Sequence, residues 1–180
     1  MSETIASFRA AWAFVRWADG RAVGAARSIP DPAEYHRGRG ISHGSVHNLL
    51  LHMMDGQAHW LATWRGGERG DLPDTSAAAC PGLDAIAATW PSVHDAVDRF
   101  LAGLSPADLH RPVHFTRGGH PLVLPLSATI AHMIDHATYH RGQLNTLVSH
   151  AGGQRVWFSY WVYAIGRHPQ AGGVTEAEFR

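Results

Sequence analysis

The sequence predicts an all-α protein: a four-helix bundle with a small β-hairpin before the last long helix and a short C-terminal helix. Two observations lead there. Four long segments space their apolar residues by threes and fours, the period of one helix face, and stretches rich in Gly and Pro separate them. Helices with such stripes bury them only against one another, which gives a bundle. With 180 residues, 45% of them hydrophobic, the chain can build one well-buried core, and no shift in composition divides it. Residues 1–180 therefore read as a single domain.

The first helix spans about residues 3–28, with Ile5, Phe8, Ala11, Trp12, Val15, Trp17 and Val23 in its stripe and Pro30 just beyond. Residues 29–43 are rich in Pro, Gly, Arg and Asp without sustained periodicity, and read as a loop. Ser45 caps a second helix to about Arg65, whose inner face is Val46, Leu49, Leu50, Met53, Met54, Gln57, Trp60 and Leu61. Gly66-Gly67 ends it. A third pattern covers residues 83–104 through Ile86, Trp90, Val93, Val97, Phe100, Leu101 and Leu104. Pro91 removes one hydrogen bond inside it, so a kink or an early break is expected near Trp90.

Residues 112–116 and 121–124 flank Arg117-Gly118-Gly119-His120, the pattern of a hairpin closed by a Gly-Gly turn. Ser127 caps the fourth helix, which continues to about His150 before Gly152-Gly153. Residues 156–165 contain Trp157, Phe158, Tyr160, Trp161 and Tyr163, and read as a short packed helix followed by a frayed tail. Either an up-down-up-down order or crossover connections fit these segments.

Composition removes several function classes. Formal charge is zero and the fifteen cations, all arginines, are spread along the chain, so nothing has the footprint of nucleic-acid or membrane-surface binding. Without lysine, Schiff-base catalysis and the P-loop lysine are excluded. Cys80 is the sole cysteine and lies beside Pro81-Gly82, so no internal disulfide forms, as in a reducing compartment. The first residues lack the basic region and apolar run of a signal peptide, and no segment reads as a transmembrane helix. A cytoplasmic protein is expected.

Chemistry concentrates in the fourth helix, where His132, His136 and His140 recur every four residues. Positions four apart lie on one helix face, but each step rises roughly 6 Å and turns about 40° past a full turn. Two histidines from this helix and one from elsewhere therefore make a better shell for one ion than all three. The second helix offers His47, His52 and His59. His52 falls inside Leu49-Leu50-Leu51-His52-Met53-Met54, which points its imidazole toward the core, whereas His47 and His59 read as rim groups. Among metal templates, His132-Met-Ile-Asp135-His136 matches an inverted zincin order with Asp for Glu. Five glutamates, none in the second or fourth helix, exclude a ferritin-like di-iron site. Nucleophile-elbow, Rossmann and zinc-finger patterns are missing, so no organic cofactor site is expected.

His136-Ala-Thr-Tyr-His140-Arg-Gly-Gln143, together with Ser45-Val-His-Asn-Leu-Leu-Leu-His52, resembles the DinB/YfiT-like superfamily of bacterial metalloenzymes over almost the whole chain. The resemblance implies that His52, His136 and His140 are the metal ligands and that His132 is not one. It also implies one divalent ion, nickel or zinc, with open coordination positions. It further implies a thiol-dependent S-transferase or isomerase acting on small electrophiles with glutathione, bacillithiol or mycothiol, and a homodimer. Asp55 and Asp135 are candidates to orient the ligand imidazoles, and Arg141 and Gln143 to line the mouth, with Gly142 permitting close helix packing. No general base stands out. A metal-dependent small-molecule hydrolase, or a non-catalytic metal-binding stress-response protein, are the other readings.

Overall fold

The computed structural model describes residues 4–167; the tail expected after the last helix lies outside them. Among the described residues, α1 spans Ile5–Arg27, α2 Pro32–His36, α3 Val46–Trp64, α4 Leu83–Ala102, α5 Leu126–His150 and α6 Tyr160–Arg167. Strands β1 (Pro112–Arg117) and β2 (His120–Pro125) pair antiparallel with Arg117 opposite His120, so Gly118 and Gly119 form a two-residue turn. Their φ values of 58° and 79° are those a type I′ turn requires at both central positions. No helix is long and apolar enough to cross a membrane among the described residues.

Local chemistry sets the helix ends. Thr4 and Ser7 form a reciprocal capping box before α1, and the Ser45 hydroxyl accepts the Asn48 backbone N–H at 3.1 Å before α3. Three expectations are corrected. The supposed loop of residues 29–43 contains α2, because Asp31 accepts the Ala33 N–H at 2.9 Å and Pro32 pre-sets the first turn. α4 continues through Pro91 without the early break; the proline ring is exposed, where its missing N–H costs least. α5 begins at Leu126, whose N–H donates to the Arg111 carbonyl at 3.0 Å, and Ser127 is buried inside the helix instead of capping it.

α1 and α3 each pack against both α4 and α5, so α1 faces α3, and α4 faces α5, across diagonals. Both the α1–α3 link and the hairpin excursion from α4 to α5 are therefore crossover connections. Two apolar layers fill the bundle. Leu49, Leu50, Met53, Met54, Trp90, Leu144 and Val148 centre one, and Trp12, Leu61, Trp64, Val97, Leu101, Ile130 and Met133 the other. α6 starts later than the aromatic run suggested: Tyr163 packs with Phe14 and Ala18 on the outside of α1, while Trp157, Tyr160 and Trp161 are exposed.

Between the layers lies a fully buried polar stratum. Asp19 of α1 accepts Gln57 Nε2 of α3 at 2.7 Å and His94 Nε2 of α4 at 3.1 Å on one carboxylate oxygen, and Arg141 Nη1 of α5 at 3.4 Å on the other. Gln57 Oε1 in turn accepts Trp90 Nε1 at 2.7 Å. One carboxylate thus ties all four long helices. Removing one member of a buried ion pair strands the other without solvent, so Asp19→Ala is expected to cost about 3–5 kcal/mol. Urea unfolding measures this, and a loss under about 1 kcal/mol would contradict it.

Candidate metal centre

The histidine site sits where α3 crosses α5, with the loop before α3 closing one side. His52 Nε2 lies 3.2 Å from His136 Nε2, which lies 3.0 Å from His140 Nε2. The structure therefore brings together the three histidines that the sequence motif singled out. Nitrogens about 2.0–2.1 Å from one ion stand roughly 2.9–3.4 Å apart, from right-angled to tetrahedral geometry. The His52–His136 and His136–His140 pairs have that spacing.

Hydrogen-bond chemistry identifies what belongs between them. His140 Nδ1 donates to Gln143 Oε1 at 2.7 Å, and Ser42 Oγ donates to the same oxygen at 2.8 Å. A neutral His140 with its proton on Nδ1 presents a bare lone pair at Nε2. His136 Nε2 faces that lone pair on one side and His52 Nε2 on the other and carries at most one proton, so its two close contacts cannot both be hydrogen bonds. A cation relieves that conflict. The residues fit a divalent metal.

Electrostatics hold the donors ready. Burial, followed by the charges that His140, His52 and His132 would carry, pushes the His136 pKa down to about 3. Burial and then His43 and His140 take His52 to about 4, and burial lowers His140 against the opposing Gln143 bond. Arg117 at the hairpin tip adds to the lowering at His52 and His136. Protons therefore compete for His52 and His136 only near pH 4 and below, beneath the ordinary histidine range.

A fourth imidazole, which the sequence did not single out, joins the group. His43 stacks on His52 with ring centroids 3.9 Å apart, and the ligand atoms of His43, His52 and His140 all lie within 4.8 Å of one another. Its loop turns sharply: Gly40, Ser42 and Gly44 all have positive φ, and Asn48 Nδ2 donates to the His43 carbonyl at 3.3 Å. The only sequence signal was a histidine directly before the Gly-Ser cap of α3. Gly56 was missed as well. A Cβ there would meet His136 Cε1 at 3.4 Å, so the glycine lets α3 approach the ring closely.

Other expectations change. His132 is exposed and stands edge-on to Trp60, with its ring 5.8 Å from that of His136. His47 is not a rim group but is buried, with Nδ1 3.3 Å from the Tyr35 hydroxyl; His59 is exposed as expected. Asp55 accepts Thr75 Oγ1 at 2.5 Å and Asp135 is exposed, so Gln143 is the orienting acceptor instead. Arg141 turns away from the site into the buried stratum, and nothing approaches Gly142 closely.

A helical bundle with uncharged imidazoles converging between two helices defines a candidate metal-binding protein. The chain belongs to the DinB family, whose sequence model matches residues 1–171. Its fold is similar to the crystal structure of a DinB-like protein from Bacillus cereus ATCC 10987, with a TM-score of 0.63 and 19% identity, over 87% of this chain and 99% of that one. No curated protein matches the chain significantly.

Elemental analysis of zinc- or nickel-loaded protein is expected to find about one ion per chain, and almost none in a His136→Ala, His140→Ala double variant. His132→Ala should bind nearly normally and His43→Ala should fall between. Gly56→Leu should lower affinity by driving its side chain against His136. Full loading of the double variant would overturn the assignment.

The pH dependence has a definite sign. The folded, metal-free chain keeps His52 and His136 neutral, while the unfolded chain binds protons near the ordinary value of 6.5. Stability is complete above about pH 6.5 and should fall as pH drops toward 4. Chelator-treated protein unfolded in urea at several pH values checks this, and the slope should flatten in His136→Ala.

Proposed function

We propose that this chain is a metal-dependent enzyme in which His52, His136 and His140 hold one divalent ion, nickel or zinc. Its reaction joins a low-molecular-weight thiol to a small electrophile, as an S-transferase or isomerase. The observation that carries this reading is the convergence of three neutral imidazole nitrogens beside a cavity of about 440 Å³, to which His52 contributes a wall. Three uncharged ligands leave a bound ion its full positive charge, and that Lewis acidity holds a thiol as thiolate near neutral pH.

The chain's own side chains suit a charged thiol. Thr75 Oγ1 donates to Asp55 Oδ1 and accepts Arg69 Nη2 at 2.9 Å, which fixes the Arg69 guanidinium on the cavity wall. A planar guanidinium pairs with a carboxylate in two-point fashion, so Arg69 suits the carboxylate of a peptide-like thiol. Leu51 offers an apolar patch for the electrophile. In the transfer, the thiolate sulfur forms a bond to the electrophilic carbon and the leaving group departs with its electron pair, while the thiol proton passes to solvent.

The test is turnover by metal-loaded protein with glutathione, bacillithiol and mycothiol, each offered an aryl halide. Thiol-dependent halide release is expected, abolished in His136→Ala, with KM raised about tenfold in Arg69→Ala. Ester cleavage without any thiol would favour the hydrolase reading. Metal binding with no turnover of either substrate class would make the protein a non-catalytic metal binder.

A further inference from the structure

The face of α5 turned away from the histidines borders a second cavity. Residues 138, 142 and 145 lie two positions from His140 or Gln143, a rotation of about 200° around the helix. There residues 154–158 run back along α5 as a strap and enclose about 710 Å³. Thr138, Arg141 and Asn145 line it from the helix, and Arg155, Trp157 and Phe158 from the strap.

The cavity wall is fastened at several points. Asn145 Nδ2 donates to the Val156 carbonyl at 2.7 Å while Val156 N–H donates to Asn145 Oδ1 at 3.0 Å. Gln154 N–H donates to Ser28 Oγ at 2.6 Å, and Arg21 Nε to the Trp157 carbonyl at 3.1 Å. Gly142 leaves the floor bare, with nothing within 4 Å of the position its Cβ would take.

Its charge is one-sided. Two arginines and no carboxylate line the cavity, and Arg155 has no hydrogen bond or ion pair among the described residues. Arg141 is 1% exposed and its Nε has no partner. Its one carboxylate neighbour, Asp19, stands at 3.4 Å and is shared with Gln57 and His94, which leaves positive potential on the cavity side. Trp157 is 54% exposed and offers an indole face beside these charges.

We propose that this cavity binds a small organic anion with a planar apolar body. Arg155 pairs with its carboxylate or phosphate, Arg141 adds positive field from behind, and the ring lies on Trp157. The site is separate from the histidine cluster and needs no metal.

The full-length, metal-free chain is titrated with benzoate, phenyl phosphate and neutral benzamide, followed by ligand-observed NMR. At least one anion is expected to bind saturably below about 10 mM, with benzamide at least about tenfold weaker. Which anion binds more tightly distinguishes the carboxylate from the phosphate. Arg155→Gln and Trp157→Ala should each weaken binding about tenfold. Both residues are exposed, so the variants should melt like the parent. Binding should be unchanged in the His136→Ala, His140→Ala variant. The proposal is overturned if benzamide matches the anions, if Arg155→Gln binds normally, if nothing saturates, or if the histidine variant loses binding.

Discussion

The buried carboxylate of Asp19 is the constraint on which the arrangement of the bundle depends. Apolar packing is permissive about helix rotation, because many combinations of Leu, Met and Trp fill a layer acceptably. A buried anion is not permissive, since every donor around it must arrive from one direction. Gln57, His94 and Arg141 each reach Asp19 from a different helix, which fixes the angular setting of α3, α4 and α5 against α1. Arg141 follows His140 directly in sequence. Turning its guanidinium inward to Asp19 sets the neighbouring imidazole toward α3.

The histidine cluster then trades local stability for readiness. Each imidazole is partly withdrawn from water and crowded by others, and without a cation their nitrogens cannot all be satisfied. Low pKa values at His52 and His136 express the same crowding from the side of the proton: the site repels H⁺ yet offers lone pairs. A divalent ion, with larger charge and several coordination directions, answers both conditions at once. Gln143 and Ser42 hold His140 in the required tautomer, so the last residue of the His-Arg-Gly-Gln string acts through the imidazole three positions before it.

Much of this was legible because helical periodicity and turn chemistry are local. The stripes of the four long helices, the Gly118-Gly119 turn and the cap at Ser45 all follow from residues within a few positions of one another. α2 was hidden because five residues are too few to display a period, although Asp31-Pro32 carried its start. The early break expected at Pro91 is absent because the cost of a helical proline depends on which side faces water, and that is a tertiary property. His43 was out of reach for a similar reason: a loop residue has no period from which its direction can be read, and the positive φ angles that bring it onto His52 arise at Gly40, Ser42 and Gly44. Asp19 and Arg141, 122 positions apart, gave no sign of being partners.

The separation of His52 from His136 along the chain, 84 positions, has a kinetic corollary. The crossover from α4 to α5 must be complete before these two rings can meet, so their contact carries the loop-closure entropy of the intervening segment. Helices and the hairpin form from near neighbours and need not wait for it. Contacts of such long range that are absent from the folding transition state leave the folding rate untouched and slow the reverse process instead. An ion clasped by both helices would then act as a latch on the finished bundle, lengthening its lifetime without hastening its assembly.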